Sequence, residues 1–129
     1  KACSLMTGSD LTIITYGAPV HKALEIVKNR DKYSFDLIDL RTLCPLDKEA
    51  IISSVKKTGK AIILQEDSMF GGLASEISSI IMENCFEHLD APVIRVASLD
   101  TPIPFEKSLE DQYLPYNRFE IELDKLLNY

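Results

Sequence analysis

The sequence predicts an α/β fold in which helices cover both faces of a mainly parallel sheet. Three observations carry that expectation. Apolar, β-branched runs of strand length recur along the chain, segments with apolar residues at helical spacing lie between them, and glycine or proline stands at several joints. Strands that alternate with helices pair in parallel, because a parallel pair needs a crossover connection and a helix supplies it.

Ala2–Met6 reads as a short edge strand. Leu11-Thr-Ile-Ile-Thr-Tyr16 is a β-branched strand that stops at Gly17. Pro19 suits the first turn of the next helix, where its missing N–H would have had no partner anyway. Ala23, Leu24, Ile26 and Val27 give that helix one apolar face. Phe35–Leu40 is a second strand, followed by a loop around Pro45. Asp47 is placed to cap a helix carrying Glu49, Ala50, Ile51 and Val55, and Gly59 to stop it. Ala61–Gln65 is a third strand, Gly71-Gly72 leads into a helix from about Leu73 to Asn84, and Val93–Ala97 is a fourth strand. A loop punctuated by Pro102, Pro104 and Pro115 precedes an amphipathic helix over Arg118–Leu127. No repeat, low-complexity tract or linker breaks the pattern, so residues 1–129 read as one domain.

The net charge of -6 argues against a nucleic-acid partner, which would call for a basic patch. It either keeps the domain soluble or steers a basic protein toward it. No apolar run reaches the length of a membrane span and the start shows no signal peptide, so a soluble intracellular domain without a membrane partner is expected. Cys3, Cys44 and Cys85 are an odd set with no close spacing, which favours reduced core thiols over disulfides, a zinc site or a nucleophile.

In open α/β sheets the functional loops follow the carboxyl ends of the strands. Here Glu66 and Asp67 precede the glycine pair. They read as solvated or helix-terminus carboxylates rather than as an acid/base pair or, with Asp100, a metal site. Gly71 and Gly72 read as close-packing glycines rather than an anion cradle, since no dinucleotide or phosphate-loop spacing surrounds them. Arg41 beside Asp39 reads as a local ion pair, His21 as a neutral hydrogen-bonded histidine in a first helical turn, and His88 as exposed just beyond a helix end. Glu83, Glu87 and Asp90 cluster at that same end, where the negative pole of the helix disfavours them. Such a cluster persists by neutrality or because a cationic partner uses it.

An ordered set of blocks resembles the beta subunit of 2-oxo acid dehydrogenase E1 components. The blocks are Gly8-Ser-Asp-Leu-Thr-Ile-Ile-Thr-Tyr-Gly17, Asp39-Leu-Arg-Thr-Leu-Cys-Pro-Leu-Asp47, Lys57-Thr-Gly59 and Gly71-Gly-Leu-Ala-Ser-Glu-Ile77. Leu89-Asp-Ala-Pro92, Asp100-Thr-Pro-Ile-Pro104 and Leu114-Pro115 complete the set across essentially the whole chain. The resemblance implies a three-layer α/β/α transketolase C-terminal-like domain, with a mostly parallel five-stranded sheet and an antiparallel first strand, cut from a longer chain. It implies thiamine diphosphate and Mg in the full enzyme, held outside this domain, so no catalytic, cofactor-binding or metal residue is expected here. The implied partners are an E1 alpha subunit or module, a second beta subunit and the subunit-binding domain of the E2 acyltransferase. In the family that domain presents basic residues to the acid of the Leu-Asp-Ala-Pro turn and to the terminal carboxylate, which match Asp90 and Tyr129, with Glu87 nearby. The branched-chain (2-oxoisovalerate) type is favoured over the pyruvate type by the Gly71–Ser79 and Asp100–Pro102 blocks, while Pro104–Asp111 resembles the pyruvate version. Another transketolase-like enzyme and a free-standing interaction module are the competing readings. The expected location is the cytoplasm of a bacterium or the mitochondrial matrix of a eukaryote.

Overall fold

A computed structural model describes residues 1–41, 43, 45–68, 72–98 and 114–129. Gly71, Cys44, Asp100 and the loop through Pro102 and Pro104 lie outside the described residues, as does the side chain of Asp67. The strands are β1 (Cys3–Met6), β2 (Leu11–Thr15), β3 (Phe35–Asp39), β4 (Ala61–Ser68) and β5 (Ile94–Ser98). The helices are α1 (Pro19–Val27), α2 (Lys48–Thr58), α3 (Ala74–Cys85) and α4 (Tyr116–Leu127), and a 3-10 turn over Phe86–His88 extends α3. The sheet order is β1-β3-β2-β4-β5. β1 runs antiparallel to β3 and every other pairing is parallel, as expected. Two boundaries differ from the sequence reading by more than one residue. β4 runs on to Ser68, and α4 begins at Tyr116 because Pro115 can stand at the N-terminus of a helix but not inside it.

Period-two alternation along the strands builds a core on each face of the sheet. Leu11, Ile13, Leu37, Ile62 and Leu64 point to one side, where α1 and α4 supply Ile26, Val27, Phe119 and Leu123. Ile14, Ile38, Ala61 and Ile63 point to the other, where α2 and α3 supply Ile51, Val55, Ile77 and Ile81. The result is three layers.

The α2 side also buries a polar chain. Thr12 and Asp36 are neighbours across β2 and β3, and both face α2. Ser54 donates to Asp36 Oδ2, so Thr12 must donate to Ser54 at 2.7 Å, since a serine hydroxyl has only one proton. Thr58 then donates toward Thr12 at 2.7 Å, sharing its proton with the Lys60 carbonyl at 3.0 Å. Lys57 Nζ closes the far end, 3.1 Å from Asp36 Oδ2. Each buried hydroxyl in the chain is satisfied, which the low dielectric of the interior demands.

Asp47 performs the capping role read from the sequence. One oxygen accepts the Ala50 N–H at 3.2 Å and the other the Ala2 N–H at 3.0 Å. The Ala2 bond, then the Ala50 bond, hold its carboxyl below the ordinary value of 3.8. A folded-state value below the unfolded one means that the stabilisation is complete above the ordinary carboxylate range and lost as pH falls through the depressed value. Asp47→Ala should therefore cost about 1 kcal/mol at neutral pH, and the gap between variant and parent in urea unfolding should close in acid. An unchanged gap across that window would refute the assignment.

Candidate functional site

α2 ends at Gly59, whose φ of 76° is left-handed and whose N–H returns to Val55 O at 2.8 Å. The carbonyl of Gly59 accepts the Asp90 N–H at 2.7 Å, across the turn that leads from the 3-10 segment to β5. A Cβ at position 59 would collide with Asp90 Oδ2 and stand 3.1 Å from Asp90 Cγ and from the His88 carbonyl. Glycine suits this position for its backbone angle, and a side chain here would also have to displace the Asp90 carboxylate.

At the end of α4 the Leu126 carbonyl accepts the Tyr129 N–H at 3.1 Å and the Lys60 ammonium at 2.9 Å. This brings Tyr129 beside the Asp90 turn. Met82, Phe86, Leu89, Pro92 and Tyr129 line an open groove of about 520 Å³, together with Glu87 and Asp90. Phe86 and Tyr129 are 67% and 71% exposed, unusual for large apolar side chains. Glu83, on the last turn of α3, is also exposed. Among the described residues none of Glu83, Glu87 and Asp90 takes part in an ion pair. The three residues singled out from the sequence, Asp90, Glu87 and Tyr129, therefore meet in one place.

The other candidates disperse. Glu66 accepts the Tyr116 hydroxyl at 2.8 Å and so fastens α4 to β4, a contact no local pattern announces. Burial, then the Glu66 hydrogen bond, push the Tyr116 phenol well above its usual range. Arg41 pairs with Asp39 at 3.7 Å, and its backbone N–H reaches the same carboxylate at 3.1 Å, which is the local role expected of it. His21 corrects the expectation of a hydrogen-bonded histidine: it is exposed on the outer face of α1, where water satisfies its ring nitrogens, and has no hydrogen bond among the described residues. His88 is exposed. Cys85 is a buried free thiol whose pKa burial raises, and Cys3 is free and half-buried.

Sequence reading missed a second cavity, of about 300 Å³, where Ser4, Thr7, Ser54 and Lys57 surround the buried Asp36. Neither concavity fits magnesium diphosphate. Asp36 already faces an ammonium, and the acids of the groove would repel phosphate. No three His, Cys, Asp or Glu side chains converge among the described residues. No helix among them is long and apolar enough to cross a membrane.

The architecture and the match of residues 1–118 to the family model "Transketolase, C-terminal domain" place the chain in that family. Its curated relatives include beta subunits of 2-oxo acid dehydrogenases. It is 44% identical over 117 residues to the 2-oxoisovalerate dehydrogenase subunit beta of Bacillus subtilis (strain 168), covering 88% of this chain and 36% of the relative. Against the pyruvate dehydrogenase E1 component subunit beta of the same organism it is 43% identical over 124 residues, covering 95% and 38%. Among solved structures, a split-gene transketolase described as an inactive beta4 tetramer superposes with a TM-score of 0.82 at 27% identity, covering 99% of this chain and 41% of that one. The chain spans about two fifths of the length of these relatives.

Gly59→Ala should destabilise the fold by about 1–2 kcal/mol from the backbone angle alone, with more from the collision with Asp90. Chemical denaturation beside a control such as Gly17→Ala, where φ is 71° but no atom lies within 4 Å, separates the two contributions. Equal losses at both positions would remove the packing role of Gly59.

Proposed function

We propose that the chain is the C-terminal domain of the beta subunit of a 2-oxo acid dehydrogenase E1 component, and that its work there is assembly. The observation that carries this reading is the meeting of Glu87, Asp90 and Tyr129 in one open, apolar-lined groove whose acids form no ion pair among the described residues. Such a groove suits a basic partner: apolar anchors fill it and arginines meet the carboxylates. The occupant is the basic subunit-binding domain of the E2 acyltransferase. Pairing of beta with beta is the second task, supported by the beta4 assembly of the related transketolase.

In the full enzyme, thiamine diphosphate with Mg supplies the carbanion chemistry of oxidative decarboxylation and acyl transfer to lipoamide. Those groups are held by the E1 alpha subunit and by a part of beta outside this chain. The branched-chain 2-oxo acids are the proposed substrates, from the Gly71–Ser79 block. The 43% identity to a pyruvate enzyme favours pyruvate as the second reading. Assaying the full enzyme on both substrates in parallel decides between them. A thiamine-binding module encoded directly upstream of Lys1 is what this reading requires, and its absence would favour a free-standing interaction module.

In the full enzyme, Asp90→Ala should weaken binding of the E2 subunit-binding domain by about tenfold or more, with the loss shrinking at high salt and decarboxylation of the 2-oxo acid unchanged. Isothermal titration measures it, and parental affinity would sink the docking assignment. Calorimetry of this chain alone with thiamine diphosphate and Mg should show no binding heat. Micromolar affinity would place the cofactor site in this domain after all.

A further inference from the structure

We infer that Lys60 is a positioning residue for the acidic groove: its ammonium fixes the end of α4 and so holds Tyr129 beside Asp90. The inference rests on the docking role proposed for that groove. Gly59 and Lys60 are adjacent, and each secures one wall. The backbone of Gly59 holds the Asp90 turn through the 2.7 Å bond to the Asp90 N–H. The side chain of Lys60 reaches Leu126 O at 2.9 Å, the same carbonyl that receives the Tyr129 N–H at 3.1 Å. The carbonyls of a last helical turn lack intrahelical partners and carry the negative pole, so an ammonium there satisfies an acceptor and the dipole together.

The base of the Lys60 side chain is itself held firm. Its carbonyl accepts the Thr12 N–H at 2.9 Å and the Thr58 hydroxyl at 3.0 Å, which anchors it to the sheet and to the buried polar chain. The Leu126 side chain is 2% exposed, so the carbonyl that Lys60 grips belongs to a packed helix rather than a frayed end. The neighbouring Lys57 turns the other way, to Asp36. Lys60 is thus the cation that links the α2–β4 corner to the end of α4, and through it the position of Tyr129 depends on the same corner that places Asp90.

The test is a titration of the full E1 enzyme, carrying variants in this domain, with the E2 subunit-binding domain. Lys60→Met keeps an apolar stem and removes the ammonium. It should weaken binding about fivefold, as loss of one partly screened charged hydrogen bond would. Lys60→Arg, which restores a donor, should stay within about twofold of the parent. In a background that ends at Asn128, without Tyr129 and its terminal carboxylate, Lys60→Met should add no further loss, the signature of two residues acting through one position. If Asp90→Ala leaves affinity unchanged, the docking reading itself fails. If Asp90→Ala weakens binding but Lys60→Met does not, or does so equally with and without Tyr129, only the role of Lys60 is overturned. Should Lys60→Met fail to assemble, Lys60→Gln, a neutral side chain on a shorter stem, replaces it in the titration. It should weaken binding only while Tyr129 is present, and parental affinity or a loss that persists in the chain ending at Asn128 would overturn the role of Lys60.

Discussion

The left-handed turn at Gly59 is the constraint on which the rest of the molecule's surface chemistry depends. It ends α2, aims the chain into β4, and leaves room for a carboxylate where any other residue would place a methyl group. Through one hydrogen bond to the Asp90 N–H it joins the turn before β4 to the turn before β5, the strand that pairs with β4. The acidic groove therefore sits at the amino ends of two neighbouring parallel strands. Enzymes of this architecture commonly place their reacting groups at the opposite, carboxyl ends. A surface at the amino ends is free to serve contacts between proteins without disturbing that edge.

The two faces of the sheet are built on different physics. The α1/α4 side is almost wholly aliphatic and aromatic, and burial of apolar area holds it. The α2 side carries hydroxyls and a carboxylate within its core, joined in one hydrogen-bonded chain that ends on the Asp36 carboxylate. Such a chain adds little net stability, since water would satisfy the same groups in the unfolded state. Its effect is geometric: Thr12, Ser54 and Thr58 meet only at one register of α2 against β2. That register fixes where α2 ends, and hence where Gly59 lies.

Much of this was legible in the sequence. Strand alternation, the Asp47 cap, the Gly59 stop and the apolar helix faces are local signals, and each appears where periodicity placed it. The buried polar chain was not legible, because Thr12, Ser54 and Thr58 read singly as polar positions on strand and helix surfaces. Only the pairing of β2 with β3 and the docking of α2 bring them together. Glu66 failed for a similar reason, since its partner Tyr116 is contributed by the last helix. Of the groove, Glu87 and Asp90 were visible as a local cluster at a helix end. Tyr129 came from the family resemblance, and its place beside them depends on the packing of α4.

The antiparallel first strand has a bearing on how copies of this molecule can associate. β1 is four residues long, and its register with β3 breaks between Ser4 and Met6. On that side the sheet ends in a short, irregular rim, a poor template for another strand. Copies meeting there are disfavoured from extending the sheet into a continuous ribbon, the usual beginning of fibrous aggregates. An ordered contact on this side is instead built from side chains on helices and turns, where a few substitutions can tune its strength without exposing a sticky edge.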